Sequence, residues 1–148
     1  MIRIICVGKI KEKYFIDAIK EYQKRLSKYT KLEIIELPDY NYDTKKTLDT
    51  EGKNILSKIK DKDFVVTIEI NGNNLSSEEF SSFIDKNLSS NITFVIGGSN
   101  GLSSEVKKRS NYRLSFSYLT FPHQLFRIIL LEQIYRSFKI INNESYHK

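Results

Sequence analysis

Three glycines that follow an apolar run have the clearest potential for chemistry in this sequence. In "FVIGGSNGLSSE" (residues 94–105), Gly97, Gly98 and Gly101 stand within five residues, directly after the β-rich stretch "ITFVI". A glycine cluster at the end of a strand serves either a tight turn or a ligand that must approach bare backbone. The pattern "GGSNG" by itself leaves both interpretations open.

The histidine and cysteine residues add few candidates for catalysis or metal binding. The chain has two histidines, His123 and His147, and one cysteine, Cys6. Because proline suits the first turn of a helix, Pro122 can simply begin one, and His123 can be an exposed residue beside it. Two distant histidines and one cysteine do not form a zinc site, so we expect no metal. Cys6 lies within the apolar run "IRIICV" and is typical of a small buried residue.

Basic residues are unevenly distributed along the chain. Lys and Arg number 24 against 18 Asp and Glu, a formal net charge of +6. Residues 1–60 hold 14 basic and 9 acidic side chains, and the segment Lys9–Lys31 holds eight against three. Such a local excess attracts nucleic-acid phosphates. A general lysine bias produces the same excess without a function, so charge alone leaves nucleic-acid binding open.

Length and composition indicate one globular domain over residues 1–148. The chain is 40% hydrophobic and 28% charged, and it begins directly on an apolar run without a basic leader. The longest apolar stretch, residues 125–141, contains charged side chains. We therefore expect no signal peptide and no membrane span, and the single cysteine favours the cytoplasm.

The elements that must position these residues alternate regularly. Short β-rich runs occupy residues 2–7, 32–37, 64–70, 92–96 and 112–116, and helical periodicity follows at about 14–27, 48–59, 76–88, 103–109 and 124–141. Ser76 and Glu79 form a capping-box pattern, and "NGNN" (71–74) is expected to close the third strand with a turn. Five alternations without a hairpin signal predict an α/β fold with a parallel sheet covered on both faces.

Ligands of such folds bind beyond the carboxyl ends of the strands. The first turn, "VGKIKEKY" (7–14), lacks the G-x-G-x-x-G spacing that seats a pyrophosphate, and no G-x-x-x-x-G-K-[ST] motif occurs. Turn-forming residues concentrate instead at Gly72, at the glycine cluster and in "SYLTFPHQ" (117–124). These three late loops are the predicted ligand site.

Several blocks of the sequence share their motifs and spacing with one known family. They are "VGKIKEKY", "YQKRL" (22–26), "TIEING" (67–72), "FVIGGSNGLS" (94–103), "LTFPH" (119–123) and "SYHK" (145–148). Together they resemble the ribosomal RNA large-subunit methyltransferase H family of the SPOUT class, and the likeness covers nearly the whole chain.

The resemblance implies a trefoil-knotted α/β fold, S-adenosylmethionine as methyl donor, and a homodimer. The implied reaction is methylation of N3 of a pseudouridine in 23S ribosomal RNA, on the assembled ribosome. The implied cofactor contacts are Ile68, Gly97, Phe116, Ser117, Tyr118, Leu119, Thr120 and Phe121. These positions fall on the three late loops.

The resemblance also implies that the C-terminal segment lies near the cofactor pocket, where a dimer can bring it to the partner's site. On this basis we predict that Tyr146 and His147 position the base or transfer its proton. His123 and Arg127, expected at the mouth of the pocket, are the second candidates. The N3 proton of a uracil ring is weakly acidic, so transfer gains from a nearby acceptor or a positive charge.

The last helix carries more apolar residues than one sheet face requires. Eleven of the 18 positions in residues 124–141 are apolar or aromatic. A helix on a sheet buries only a stripe of its surface, so the surplus predicts that this C-terminal helix lies at a two-fold dimer interface.

Two other functions are compatible with parts of the sequence. A non-catalytic RNA-binding module would use Lys9–Lys31 but leaves the late glycines unexplained. A nucleotide-binding enzyme of flavodoxin-like type is disfavoured by the first turn. Titration with S-adenosylmethionine separates these possibilities from the methyltransferase.

Overall fold

The computed structural model describes residues 1–148, in which five strands alternate with five helices. The strands are β1 (Ile2–Val7), β2 (Leu32–Leu37), β3 (Phe64–Asn74), β4 (Ile92–Ile96) and β5 (Tyr112–Ser115). The helices are α1 (Lys13–Leu26), α2 (Thr44–Lys58), α3 (Ser77–Lys86), α4 (Ser104–Arg109) and α5 (His123–Ile141). All strands join one sheet in the order β2-β1-β4-β3-β5, and every neighbouring pair is parallel. The predicted parallel α/β sheet is confirmed.

Successive residues of the central strands face two separate cores. Ile4 of β1 and Phe94 of β4 belong to a buried cluster that includes side chains of α1, α3 and α5. Ile5 of β1 and Val95 of β4 face the opposite cluster, with side chains of α2 and α4. Burial on both faces explains why β1 and β4 are mainly apolar and lack a regular polar alternation, each with one buried polar residue, Arg3 or Thr93.

Local capping signals set the starts of two helices. Before α3, the N–H of Glu79 donates to Ser76 Oγ at 3.0 Å and the N–H of Ser76 donates to the Glu79 carboxylate at 2.8 Å, as the capping-box pattern predicted. The start of α2 lies earlier than the apolar periodicity indicated. Asp43 caps this helix by accepting a bond from the N–H of Lys46 at 3.0 Å.

The prediction of a turn at residues 71–74 is wrong. β3 continues to Asn74, and Leu114 of β5 is paired first with Ile68 and then with Asn73. The residues between these two pairings form a bulge against the edge strand. The Asn73 amide donates to the carbonyl of Arg113 at 3.0 Å. Residue types that favour turns are accommodated here because the bulged segment is largely exposed.

Helix α5 packs against the sheet through one side and leaves apolar side chains on another. Phe126, Leu130 and Ile134 are buried, whereas Leu125 is 37% exposed and Ile128 is only half-buried. This surplus agrees with the prediction of a partner on α5, although the dimer and the trefoil knot both stay predictions. None of the helices combines the length and the apolar character needed to cross a membrane.

Candidate functional site

A cavity of about 430 Å³ opens at the carboxyl ends of β3, β4 and β5. Its wall is formed by the end of β3, the loop after β4, and the segment that leads from β5 into α5. These segments meet because the strands are parallel and end at the same edge of the sheet. The volume lies within the range of about 300–1,000 Å³ that is typical of small-molecule sites.

The cavity wall contains every predicted cofactor residue except Tyr118. The lining residues among them are Ile68, Gly97, Phe116, Ser117, Leu119, Thr120 and Phe121. Tyr118 is 75% exposed and lies outside the wall. Gly72 belongs to β3 and is not in the wall, so only two of the three predicted loops, those after β4 and β5, line the cavity together with β3. The role of this wall in binding a cofactor stays a prediction.

The glycine loop after β4 folds tightly on itself. A Cβ on Gly97 would lie only 2.5 Å from the carbonyl oxygen of Gly101 and 2.9 Å from Leu102 Cδ2. Gly101 has φ +81°, a conformation that side chains disfavour, and its N–H donates to the carbonyl of Gly98 at 3.0 Å. The glycines thus serve a tight turn, and that turn also presents bare backbone to the cavity.

A buried carboxylate in the wall is the main feature that the sequence analysis missed. The Glu69 side chain is 7% exposed and accepts bonds from Arg113 Nε at 3.0 Å and Nη2 at 2.8 Å. Thr67 Oγ1 donates to it at 2.7 Å, and Lys107 Nζ lies 3.9 Å away. Burial raises the pKa of Glu69, but the bonds from Arg113 and Thr67 outweigh burial and hold the pKa below its ordinary value. The carboxylate is therefore ionised at neutral pH.

Comparison with known protein sequences identifies the family. The model of the family described as "Predicted SPOUT methyltransferase" matches residues 1–147. A Clostridium perfringens protein named ribosomal RNA large subunit methyltransferase H 1 is 57% identical, over 99% of each chain. This chain belongs to the ribosomal RNA large-subunit methyltransferase H family of SPOUT methyltransferases.

Other relatives show the same full-length correspondence. A Caldicellulosiruptor bescii protein of the same name is 53% identical over 100% of both chains. Among solved structures, the SpoU methyltransferase AviRb from Streptomyces viridochromogenes in complex with AdoMet aligns with 94% of this chain and 57% of that chain. The aligned parts of the two chains are 11% identical, with a TM-score of 0.49.

In this SPOUT methyltransferase, His123 lines the cavity from the first turn of α5. Glu51 of α2 lies behind the glycine loop, where a Cβ on Gly98 would stand 3.1 Å from its Oε1. Glu51 is only 4% exposed, and this Oε1 has no hydrogen-bond partner, whereas Oε2 accepts the N–H of Tyr40 at 3.0 Å. Burial raises the pKa of Glu51 against the opposing effects of Tyr40 and His123.

Arg127 is not part of the cavity wall, although we expected it at the mouth beside His123. Its side chain is 3% exposed and forms an ion pair with Glu36 of β2. It also donates from Nη2 to the carbonyl oxygen of Gly8 at 3.2 Å. The guanidinium therefore supports the connection between β1 and α1.

The C-terminal tail packs against helices of its own chain. The Tyr146 hydroxyl donates to Glu132 of α5 at 2.6 Å. His147 Nδ1 lies 3.0 Å from Arg136 Nη1, and its Nε2 lies 2.6 Å from Glu78 of α3. Burial, together with the bond to Glu132, raises the pKa of Tyr146 to about 12.

The tail and the cavity lie at opposite halves of α5. Phe126 lines the cavity, whereas Arg136 contacts the tail. At a rise of about 1.5 Å per residue, these positions are about 15 Å apart along the helix. Within one chain, Tyr146 and His147 therefore do not join the wall that contains the predicted cofactor residues.

No group of three or more His, Cys, Asp or Glu side chains is arranged to hold a metal ion.

Proposed function

We propose that this chain is an S-adenosylmethionine-dependent methyltransferase that modifies N3 of a pseudouridine in 23S ribosomal RNA. The observation that carries this proposal is the cavity formed by the end of β3 and the loops after β4 and β5, in a chain whose full-length relatives are named ribosomal RNA large subunit methyltransferase H. Following the same resemblance, we propose the assembled ribosome in the cytoplasm as the substrate.

The residues of the cavity fit such a donor. Apolar side chains, including Ile96, Leu102 and Phe116, suit the adenine ring. The backbone of the glycine loop offers polar groups without side chains in front of them. The charged pair Glu69 and Arg113 suits the amino-acid part of the molecule, which carries charges of both signs.

The chemistry requires little activation of the donor. Bound S-adenosylmethionine supplies a methyl group on a sulfonium, which leaves as a neutral thioether. The protein must orient the base, exclude water and assist removal of the N3 proton of the uracil ring. A proton acceptor or a positive charge beside N3 performs the last task.

We propose that Tyr146 and His147 act on the base together. With a pKa of about 12, the Tyr146 hydroxyl stays protonated at neutral pH and serves as a hydrogen-bond donor. His147 is then the candidate acceptor. Both of its ring nitrogens contact other side chains in the isolated chain, Nδ1 with Arg136 and Nε2 with Glu78. The tail must therefore exchange partners before it can act.

We further propose a homodimer in which the tail of one chain serves the cavity of the other. Two observations support it: the apolar surplus on α5 around Leu125, and the separation of the tail from the cavity within one chain. A mixing experiment tests the arrangement. A Gly97 variant unable to bind the donor is combined with a variant lacking residues 145–148, each inactive alone.

If the tail works in trans, each mixed dimer contains one intact site, formed by the donor cavity of the truncated chain and the tail of the Gly97 variant. Random mixing then restores about a quarter of the wild-type activity. If the tail works in cis, no mixed dimer contains an intact site and activity stays at background.

Calorimetric titration with S-adenosylmethionine tests the donor directly. Binding of one molecule per chain supports the methyltransferase. Absence of binding, combined with affinity for ribosomal RNA, would favour the non-catalytic RNA-binding module instead.

A further inference from the structure

The connection between β1 and α1, together with the first two residues of α1, presents positive charge beside the cavity. Lys9, Lys11, Lys13 and Tyr14 are all exposed, and Tyr14 is 68% exposed. We define residues 9–14 as the basic segment. Lys13 pairs with Asp17 at 2.7 Å, but Lys9 and Lys11 form no ion pair. Two lysine charges are therefore available to an external anion.

The basic segment lies at the same edge of the sheet as the cavity. β1 and β4 are parallel neighbours, with Cys6 opposite Ile96, so the segments that follow the two strands leave the sheet at the same edge. Just beyond this pair, a Cβ on Gly98 would stand 3.2 Å from Val7 Cγ1. The end of β1 thus contacts the glycine loop, and the basic segment continues from there.

Buried contacts hold the base of this segment in place. Ile10 is 5% exposed, and its N–H donates to Glu36 Oε2 at 3.0 Å. Arg127 pairs with the same carboxylate oxygen and binds the carbonyl of Gly8. The N–H of Gly8 donates to the carbonyl of Leu37 at 2.8 Å. Because the backbone around Lys9 and Lys11 is anchored, both lysines project from a fixed base, which reduces the ordering cost of binding.

We propose that the basic segment binds the ribosomal RNA around the target base. Lys9 and Lys11 contact backbone phosphates, and the ring of Tyr14 stacks on an unpaired base, as exposed aromatic rings do in single-stranded RNA sites. This inference rests on the proposed function for the identity of the RNA. It adds the surface that orients the RNA over the cavity, and it gives Arg127 a positioning role through the Gly8–Ile10 backbone.

The chain offers a matched control for charge. Lys58 at the end of α2 and Lys62 before β3 are exposed and unpaired, but they precede the amino end of a strand, at the opposite edge of the sheet. The variants Lys9→Ala/Lys11→Ala and Lys58→Ala/Lys62→Ala therefore change the net charge equally. Tyr14→Phe and Tyr14→Ala separate stacking from the hydroxyl group.

Ribosomes that lack the modification are the binding partner in the experiment. Affinity is measured by co-sedimentation over a range of KCl concentrations, in parallel with methylation and with S-adenosylmethionine affinity. Each phosphate contact contributes about 0.7–0.9 to the slope of log affinity against log salt concentration. Lys9→Ala/Lys11→Ala is expected to reduce that slope by about 1.5, with donor affinity unchanged, while the control pair keeps the wild-type slope. Tyr14→Ala is expected to weaken binding at least about fivefold and Tyr14→Phe is expected to retain it.

A wild-type slope in the Lys9→Ala/Lys11→Ala variant, or an equal loss in the control pair, would overturn the proposal. So would wild-type affinity in Tyr14→Ala, or a wild-type protein that does not bind ribosomes. A wild-type protein that binds ribosomes without methylating them contradicts the proposed function alone, because the slopes still decide the role of the basic segment.

Discussion

The hydroxyl group of Tyr146 donates a 2.6 Å hydrogen bond to the carboxylate of Glu132, on the middle of α5. The ring of Tyr146 also stacks edge-on against Tyr135, with ring centroids 5.0 Å apart. A tail of this composition would ordinarily be called frayed, yet here it is attached by packing and by charge-assisted bonds. The same contacts separate its proton-exchanging groups from the cavity of their own chain.

Removing the tail should abolish most of the activity. Deleting residues 145–148 is expected to reduce methyl transfer by at least about two orders of magnitude, the scale of a lost proton-transfer group. Donor affinity and dimer mass should change little. Since the deletion also removes the packing on Tyr135, His147→Ala is the cleaner variant and should show most of the loss. Single-turnover methylation of ribosomes measures both, and a normal rate in the truncated chain would shift the chemistry to the segment Tyr118–His123.

Gly97→Ala should weaken the binding of S-adenosylmethionine. The new Cβ would stand 2.5 Å from the backbone oxygen of Gly101, so the glycine loop must move and the cavity wall moves with it. We expect the dissociation constant to rise at least about tenfold, or about 1.4 kcal/mol, without loss of the folded chain. Ser104→Ala, at an exposed position that follows the same loop and lies outside the cavity wall, is the control. Unchanged affinity in Gly97→Ala, measured by calorimetry, would show that the wall tolerates a shifted loop.

The buried carboxyl group of Glu51 leads to a prediction about how stability depends on pH. Its pKa is raised in the folded chain, mainly by burial, so the folded state retains the proton to a higher pH than the unfolded state does. The stability that this proton provides is complete below the ordinary pKa of glutamate and is lost as pH rises through the folded-state pKa. The Tm of Glu51→Gln relative to wild type should therefore increase from about pH 4 to about pH 7. A difference in Tm that stays constant or decreases over this range contradicts the assignment.

The dimer prediction is tested on the exposed side of α5. Leu125→Arg puts a charge into the proposed interface and is expected to give a monomer mass by light scattering at low micromolar concentration. Leu88→Arg is the matched control, since Leu88 is 36% exposed and Leu125 is 37% exposed. A monomeric wild type, or dissociation of both variants alike, would remove the α5 interface.

The sequence predicted those features that depend on local pattern. The apolar runs of β1 and β4 and the capping box at Ser76 needed only residue types and spacing. The glycine cluster at Gly97 likewise led directly to the cavity. The turn at residues 71–74 failed because pairing with the edge strand β5, a distant part of the chain, determines the backbone there.

Long-range pairing also explains what the sequence did not reveal at the site. Arg127 contacts Glu36, which lies 91 residues earlier, and Arg113 contacts Glu69, which lies 44 residues earlier. Neither spacing carries a signal in a single sequence. Arg127 was therefore expected at the cavity, and the Glu69 carboxylate in the wall was missed, although it stands in the strand-end block "TIEING".

Methylation of ribosomes is the most direct measurement of the central claim. Purified protein and S-adenosylmethionine are incubated with ribosomes from a strain that lacks this enzyme, and the 23S ribosomal RNA is digested to nucleosides for mass spectrometry. We predict that one methylated pseudouridine appears per ribosome, with the methyl group on N3, and that it forms about tenfold more slowly when the Gly97→Ala protein is used at limiting donor. Ribosomes that remain unmethylated under conditions where the protein binds the donor, or a methyl group on another nucleoside, would contradict the account.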